Sequence, residues 1–152
     1  MRIAVVAGKF DLLHSGHIDH ITKASKYGEY LLIVTHLDSI VAKTSGKGFC
    51  AVPLCYRMIL LNGILLHFNI SGRVVVGKDE DGSVIQTLGY IRSIYPNDTI
   101  NYCKGGDRVP SNMNQDEVEA CQRLGIELVY GVGDLLGSSS KFVDRIKNKI
   151  EL

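Results

Sequence analysis

The most informative stretch of the sequence lies near the N-terminus and reads Gly8-Lys9-Phe10-Asp11-Leu12-Leu13-His14-Ser15-Gly16-His17. This stretch follows an apolar run over residues 3–7 that is typical of a buried strand, and it precedes apolar residues at helical spacing. We therefore expect two histidines, three positions apart, where a first strand turns into a first helix. Backbone N–H groups and the positive end of the helix dipole meet at such a turn, which favours a bound phosphate.

The composition is that of one soluble globular domain. The chain has 152 residues, of which 45% are hydrophobic and 22% are charged. We expect a single domain over residues 1–152 that buries about 70% of the surface of its unfolded chain. Lys and Arg number 17 against 16 Asp and Glu, so there is no overall basic field to hold nucleic acid.

The sequence also bears on where the protein is found and on the oxidation state of its cysteines. No apolar run reaches the roughly 18 residues that a membrane span needs, and the N-terminus lacks the features of an export signal. We therefore expect a cytoplasmic protein without a membrane segment. The four cysteines form no C-x-x-C pair, so we expect reduced thiols and neither a zinc site nor a disulfide framework.

Strand and helix patterns alternate along the chain. We predict five strands, at residues 2–7, 30–35, 73–77, 99–103 and 126–130. We predict helices at residues 16–27, 38–42, 53–66, 83–95, 114–124 and 139–151. Ser83 is expected to cap the fourth helix, and Phe142, Val143, Ile146 and Ile150 are expected to face inward. The pattern indicates an α/β fold, a Rossmann-like three-layer α/β/α sandwich with a five-stranded parallel sheet.

Polar segments follow three of these strands. They are residues 8–17 after the first strand, Gly105-Gly106-Asp107 after the fourth, and Ser138-Ser139-Ser140 beyond the fifth. Ligands of open α/β sheets bind outside the carboxyl ends of the strands, so we expect these segments to form one site.

A family resemblance rests on these segments. Residues 8–17 resemble the G-x-F-D-x-x-H-x-G-H signature of the cytidylyltransferase-like nucleotidyltransferases, and residues 138–140 resemble their second, serine-rich signature. Residues 104–107 resemble the K-G-G-D of the bacterial heptose-1-phosphate adenylyltransferases. Arg57 matches an arginine that the family carries on the helix after a flexible lysine loop, where a salt bridge is the alternative explanation.

The resemblance implies a role for each of these residues. His14 and His17 are expected to contact the nucleotide phosphates, His17 stabilises the α-phosphate during attack, and Lys47 neutralises the triphosphate, with Lys43 as the alternative lysine. These would be the catalytic residues. The expected nucleotide-binding residues are Gly8, Lys9, Phe10, Asp11, Gly16, Arg57, Gly105, Gly106, Asp107, Ser138, Ser139 and Ser140.

The resemblance also implies a reaction. A nucleoside monophosphate, with AMP favoured, would pass from ATP or CTP to a phosphorylated acceptor such as a heptose 1-phosphate, with release of pyrophosphate. Mg²⁺ would arrive with the triphosphate, without a protein metal cage, and the chain would form a homodimer. Two other enzymes remain open, a glycerol-3-phosphate cytidylyltransferase and an adenylyltransferase of the FAD synthase type. A nucleotide-binding sensor without turnover is the alternative from another class.

Overall fold

The computed structural model describes residues 1–134 and 139–150, and in the second range it describes the side chains of 144–149 only. The five strands are β1 (Arg2–Ala7), β2 (Tyr30–Thr35), β3 (Gly72–Val76), β4 (Thr99–Cys103) and β5 (Glu127–Val129). The helices are α1 (Ser15–Ala24), α2 (Asp38–Thr44), α3 (Leu54–His67), α4 (Ile85–Ile94), α5 (Gln115–Leu124) and α6 (Ser139–Ile150). Short 3₁₀ turns follow α1 at Ser25–Tyr27 and precede α5 at Pro110–Asn112.

The strands form one parallel sheet in the order β3-β2-β1-β4-β5. The chain builds the sheet outward from β1 to β3 and then returns to the other side of β1 to add β4 and β5. The carboxyl ends of β1 and β4 therefore lie side by side at the point where the strand order reverses. A crevice forms at such a point, and the predicted Rossmann-like parallel sheet is confirmed.

Each face of the sheet carries its own apolar core. Alternate residues of β1, Ile3 and Val5, pack with Leu88 and Ile91 of α4 and Cys121 of α5. The intervening residues Ala4 and Val6 pack with apolar residues of the opposite face, which include Ile21 of α1 and Leu61 and Leu65 of α3. Helices cover the sheet on both sides, which gives the three layers.

Two helix details differ from the sequence-based expectations. The fourth helix begins at Ile85, after Val84, and Ser83 does not cap it. The carboxylate of the buried Asp79 takes that role, because it accepts hydrogen bonds from the backbone N–H groups of Gln86 and Thr87. On α6 the expectation that Ile146 faces inward is wrong, since that side chain is 59% exposed. The side chains of Phe142, Val143 and Ile150 lie outside those described.

Other helix ends follow the sequence. Asn114 caps α5 by accepting a hydrogen bond from the Asp116 N–H, and Gly125 ends the helix in the left-handed region at φ 62°. Within the part of the chain that the structure describes, no helix is long and apolar enough to cross a bilayer.

Candidate active site

A cleft of about 460 Å³ opens at the carboxyl edge of the sheet. The ends of β1, β2 and β4 form its floor, and its lining includes His17, His36, Lys47 and Lys104. Lys9 and Arg108 add two further cations, against the carboxylates of Asp11 and Glu117. A chain with almost no net charge thus gathers positive charge at this crevice, which suits an anionic ligand.

The two histidines of the first loop form the start of α1. His14 is the N-cap residue, and its Nδ1 accepts a hydrogen bond from the Gly16 N–H at 3.1 Å. The Nδ1 of His17 in turn accepts from the His14 N–H at 3.3 Å. The two rings stack with their centroids 3.8 Å apart. The histidines therefore perform the work of a capping box, a role usually taken by Ser or Thr with Glu.

These hydrogen bonds fix which ring nitrogen carries the proton. Burial, and then the neighbouring His14 and His20, lower the pKa of His17 to about 4, and burial also lowers the pKa of His14. Both rings are consequently neutral at pH 7. Because each Nδ1 accepts a backbone N–H, the proton of each ring belongs on Nε2, which makes Nε2–H a donor. His17 presents this donor on the lining of the cleft.

The loop before the histidines has a fixed shape. Phe10 adopts a positive φ of 51°, is 3% exposed, and packs edge-on against the His17 ring at 5.2 Å between centroids. A Cβ added at Gly8 would lie 3.0 Å from the Phe10 ring. The apolar Phe10 side chain therefore supports His17 from below, and Gly8 leaves the space that its ring occupies.

Asp11 ties this loop to the segment before α3. Its carboxylate accepts hydrogen bonds from the N–H groups of Ala51 at 2.9 Å and Val52 at 2.8 Å, and it forms an ion pair with Lys47. Burial alone would raise the pKa of Asp11, but the bonds from Ala51, Lys47 and Val52, with a weaker one from Cys50, lower it to about 2. Asp11 is thus a charged, 5% exposed anchor.

Arg57 anchors the same loop from the other side. Its guanidinium is fully buried and donates to the carbonyls of Val52 and Lys9, to the Thr35 hydroxyl, and to the Asp38 carboxylate at 2.6 Å. Arg57 does not line the cleft among the residues described there, and the geometry favours the salt bridge over a phosphate contact. We call Asp11, Arg57 and their partners Ala51 and Val52 the loop clamp.

The two lysines considered for the triphosphate lie in different places. Lys47 lines the cleft and pairs with Asp11, whereas Lys43 is exposed and reaches the Glu80 carbonyl at 3.4 Å. Lys9 also lines the cleft and donates to the Thr44 carbonyl at 2.9 Å. Burial, and then the charge of Lys47, lower the pKa of Lys9. The structure therefore brings Lys47 and Lys9, but not Lys43, to the predicted phosphate site.

The glycine loop after β4 packs against the loop after β5. A Cβ added at Gly106 would overlap the carbonyl oxygen of Gly133, so the two backbones approach as closely as glycine allows. Gly106 and Asp107 are exposed and Gly105 is half-buried, beside the cleft lining and not on it. Ser138 lies outside the described residues. Ser139 and Ser140 begin α6, and their side chains are not among those described.

Four polar residues of the cleft lining lie outside the predicted set of site residues, and we call them the polar wall: His36, Tyr102, Lys104 and Glu117. His36 follows β2, Tyr102 and Lys104 belong to the end of β4, and Glu117 lies on α5. Lys104 stands within the K-G-G-D segment and His36 directly follows the predicted second strand, so both positions carried a signal. Glu117 on an amphipathic helix gave none, because solvent-facing glutamates are common there. Among the residues described, no three His, Cys, Asp or Glu side chains are grouped to hold a metal.

Comparisons with known proteins agree with this fold. Residues 5–67, which run from β1 to the end of α3, match the cytidylyltransferase-like family model. The bifunctional protein HldE of Halorhodospira halophila is 27% identical over 97% of this chain, and that of Proteus mirabilis is 32% identical over 74%. The chain spans 28% and 21% of the lengths of these two relatives.

Two solved structures share the architecture. A lipopolysaccharide core biosynthesis protein from Thermoplasma volcanium superposes with a TM-score of 0.63 at 23% identity, over 88% of this chain and 98% of that chain. A putative nicotinate-nucleotide adenylyltransferase from Vibrio parahaemolyticus gives 0.62 at 16% identity, over 97% and 82%. The class is therefore a Rossmann-like α/β fold with a ligand cleft at its switch point. The resemblance to the cytidylyltransferase-like nucleotidyltransferases is confirmed.

Proposed function

We propose that this chain transfers a nucleoside monophosphate, with AMP favoured, from a nucleoside triphosphate to a phosphorylated small molecule, and releases pyrophosphate. The observation that carries the proposal is the neutral His14–His17 pair at the start of α1, with Nδ1 of each ring occupied by a backbone N–H. A fixed Nε2–H donor at a helix N-terminus, as His17 provides on the cleft lining, suits the negative charge that develops on an α-phosphate. Family membership of residues 5–67 supports the same reaction class.

In the proposed reaction an oxygen of the acceptor phosphate attacks the α-phosphorus. The new P–O bond forms as the bond to the bridging oxygen of pyrophosphate breaks, and pyrophosphate leaves with that electron pair. No covalent enzyme intermediate is needed, because the acceptor is already an anionic nucleophile. The protein's part is to position the two phosphates and to stabilise charge on the α-phosphate, for which His17 is the donor.

The cleft cations supply the remaining charge. Lys47 and Lys9 line the same cleft as His17, which supports roles for both at the triphosphate. Mg²⁺ would enter as part of the triphosphate substrate and keep several waters, as it does when phosphates provide its ligands. Lys47 would exchange its ion pair with Asp11 for a phosphate, so its loop would close as the nucleotide binds.

The identity of the substrates rests on finer signals. The K-G-G-D segment at residues 104–107 favours ATP and a sugar phosphate such as a heptose 1-phosphate. Similarity to the bifunctional protein HldE over most of this chain is compatible with that choice. Glycerol-3-phosphate cytidylyltransferases usually carry an arginine shortly before the second signature, and residues 131–137 contain none. The sugar-phosphate reaction is therefore the one we favour.

The decisive experiment is a matrix of pyrophosphate-release assays. The purified chain is incubated with Mg²⁺ and either ATP or CTP, against a heptose 1-phosphate, glucose 1-phosphate, glycerol 3-phosphate and FMN. We expect turnover with ATP and the heptose 1-phosphate, with the nucleotide-linked product identified by mass spectrometry. Turnover confined to CTP and glycerol phosphate, or to FMN, would replace our substrate assignment. Nucleotide binding without pyrophosphate release from any pair would contradict the transferase and favour the sensor.

We also propose that the chain forms a homodimer through α3. That helix exposes an apolar face, in which Tyr56, Ile59, Leu60 and Leu66 are between 50% and 82% exposed. An apolar face of this kind is a common interaction surface, and a second copy of the same helix would complement it. Sedimentation equilibrium tests the proposal, and a monomer at micromolar concentration would contradict it.

A further inference from the structure

The polar wall contains groups that phosphate chemistry does not require. His36, Tyr102, Lys104 and Glu117 border the same cleft as His17, but they follow β2 and β4 or lie on α5, away from the start of α1. Because β2 and β4 flank β1 in the sheet, His36 and Lys104 follow strands about 10 Å apart, on either side of the first loop. A ligand group held beside the α-phosphate would lie between them.

His36 is buried without a complete set of hydrogen bonds. Its side chain is 3% exposed, and its Nδ1 is buried with no hydrogen-bond partner among the residues that the structure describes. A Cβ added at Gly77 would lie 3.2 Å from this Nδ1, so Gly77 leaves the room that the ring needs. A buried polar atom without a partner costs free energy, and a ligand that supplies the partner recovers it.

The other half of the polar wall is a short hydrogen-bond chain. Lys104 donates from Nζ to the Tyr102 hydroxyl at 3.0 Å, and that hydroxyl donates to Oε1 of Glu117 at 3.1 Å. Nζ of Lys104 and Oε1 of Glu117 are 3.9 Å apart, and the two side chains are only 16% and 12% exposed, respectively. Within the described chain, no donor contacts Oε2 of Glu117. The Glu117 carboxylate is thus held in place through Oε1, and Oε2 is available to accept a hydrogen bond from a ligand.

These groups have the chemistry of hydroxyl recognition. Burial lowers the pKa of His36, so its ring is neutral at pH 7 and has one donor and one acceptor. A carboxylate accepts from hydroxyl groups and repels phosphate. The phosphates of both substrates are instead served by the cations Lys9 and Lys47 on the same cleft.

We propose that His36 and Glu117 are specificity-determining residues that bind hydroxyl groups of the acceptor, and that the acceptor is therefore a polyhydroxylated phosphate ester. Tyr102 and Lys104 are positioning residues, because they orient the Glu117 carboxylate. This inference rests on the proposed nucleotidyl transfer to a sugar phosphate and adds the residues that bind the hydroxyl groups of the acceptor.

The test compares acceptor and nucleotide kinetics in the full chain. His36→Ala and Glu117→Gln are each expected to raise the KM for the heptose 1-phosphate about tenfold, as the loss of one good hydrogen bond predicts. The KM for ATP should stay within about twofold. His36→Asn, which keeps a donor and an acceptor, should recover part of the loss. Preference for the heptose 1-phosphate over glycerol 3-phosphate should fall in both disruptive variants.

A matched control and a folding check make the outcomes distinct. Glu119→Gln alters an exposed glutamate on the same helix and should change neither KM. Thermal unfolding identifies any variant that is simply misfolded, and the KM for ATP reports on an intact nucleotide site. If the wild-type chain turns over but the acceptor KM of both variants is unchanged, only the hydroxyl assignment is overturned. If the wild-type chain releases no pyrophosphate with any acceptor, the proposed function itself fails.

Discussion

The loop clamp holds the first loop of the cleft from behind and the polar wall lines that cleft, yet the two differ in how fully their polar groups are paired. In the loop clamp, Asp11 accepts two backbone N–H groups and a lysine, and the buried Arg57 donates to four oxygens. In the polar wall, His36 keeps an unpartnered Nδ1 among the described residues. Fully paired buried groups stabilise a single loop shape, whereas incompletely paired ones are available to a ligand.

This contrast separates residues with a structural role, such as Arg57, from residues that are available to a ligand, such as His17. The position of Arg57 in the sequence predicts a phosphate ligand, but its guanidinium donates to oxygen atoms of the protein itself. His17 combines both conditions, since its Nδ1 is paired with the backbone while Nε2 remains a donor at the cleft. Substitutions on the two sides should therefore separate loss of activity from loss of stability.

The largest effect is expected at His17, on activity. His17→Ala removes a donor aimed at developing charge, so kcat should fall about 100- to 1000-fold. The free energy of unfolding should fall by only about 1 kcal/mol, the cost of a lost cap bond. Pyrophosphate release and urea denaturation measure the two quantities. His67→Ala, at an exposed position at the end of α3, is the control and should alter neither. Undiminished turnover of the His17 variant would contradict the role of His17 as the donor to the α-phosphate.

Arg57 should show the opposite pattern, with the effect on stability. Arg57→Met leaves the Lys9 and Val52 carbonyls and the Thr35 hydroxyl without their donor, and we expect a loss of about 3 kcal/mol in the free energy of unfolding. Chemical denaturation measures it, with Arg73→Met at an exposed position of β3 as the control. A variant as stable as the control would show that the clamp does not hold the loop.

Asp11 makes the contribution of the clamp dependent on pH. Its carboxyl has a pKa of about 2 in the folded chain against an ordinary 3.8, so the folded state binds fewer protons than the unfolded state in that interval. The stabilisation is complete above pH 3.8 and is lost as the pH falls toward 2. The stability difference between wild type and Asp11→Asn should therefore shrink by about 1–2 kcal/mol from about pH 5 to pH 2. Denaturant titrations across that range measure it, and a constant difference would contradict the assigned charge.

The smallest expected effect is the difference in kcat/KM between variants of the two loop lysines, Lys47 and Lys43. Lys47→Ala removes a cation on the cleft, and kcat/KM for the triphosphate should fall about tenfold. Lys43→Ala removes a cation that points to the Glu80 carbonyl, and the same quantity should change by less than about twofold. Steady-state kinetics with varied ATP distinguish them. Equal effects would contradict the choice of Lys47 over Lys43 as the triphosphate lysine.

Local patterns were sufficient to predict the architecture. Apolar periodicity predicted all five strands within one or two residues, and the cap at Asn114 and the left-handed Gly125 followed from residue type alone. The start of α4 was missed because Asp79 caps it through a loop, and sequence rules expect the cap directly before the helix. Ile146 was misassigned because helical spacing identifies an apolar stripe without identifying what covers it.

The candidate site was predictable where it is contiguous in sequence. His14 and His17 share one turn with the glycine and the apolar residues that support them, so their juxtaposition is local. The polar wall brings together the ends of β2 and β4 and the first turn of α5, and only the sheet order places them on one cleft. Arg57 was ambiguous because two of its four partners are backbone carbonyls, which every residue carries.

The contact between the loops after β4 and β5 has a consequence for how the sequence can vary. Gly106 meets the Gly133 carbonyl, and a Cβ at Gly133, where φ is 108°, would lie 3.1 Å from the Cα of His20 on α1. Three backbone segments thus touch in series with no side chain between them. A methyl group at Gly106 would overlap the Gly133 carbonyl oxygen, and one at Gly133 would press on the α1 backbone at His20 from a conformation that side chains rarely adopt. Mutational tolerance is therefore low at two glycines that lie outside the cleft lining.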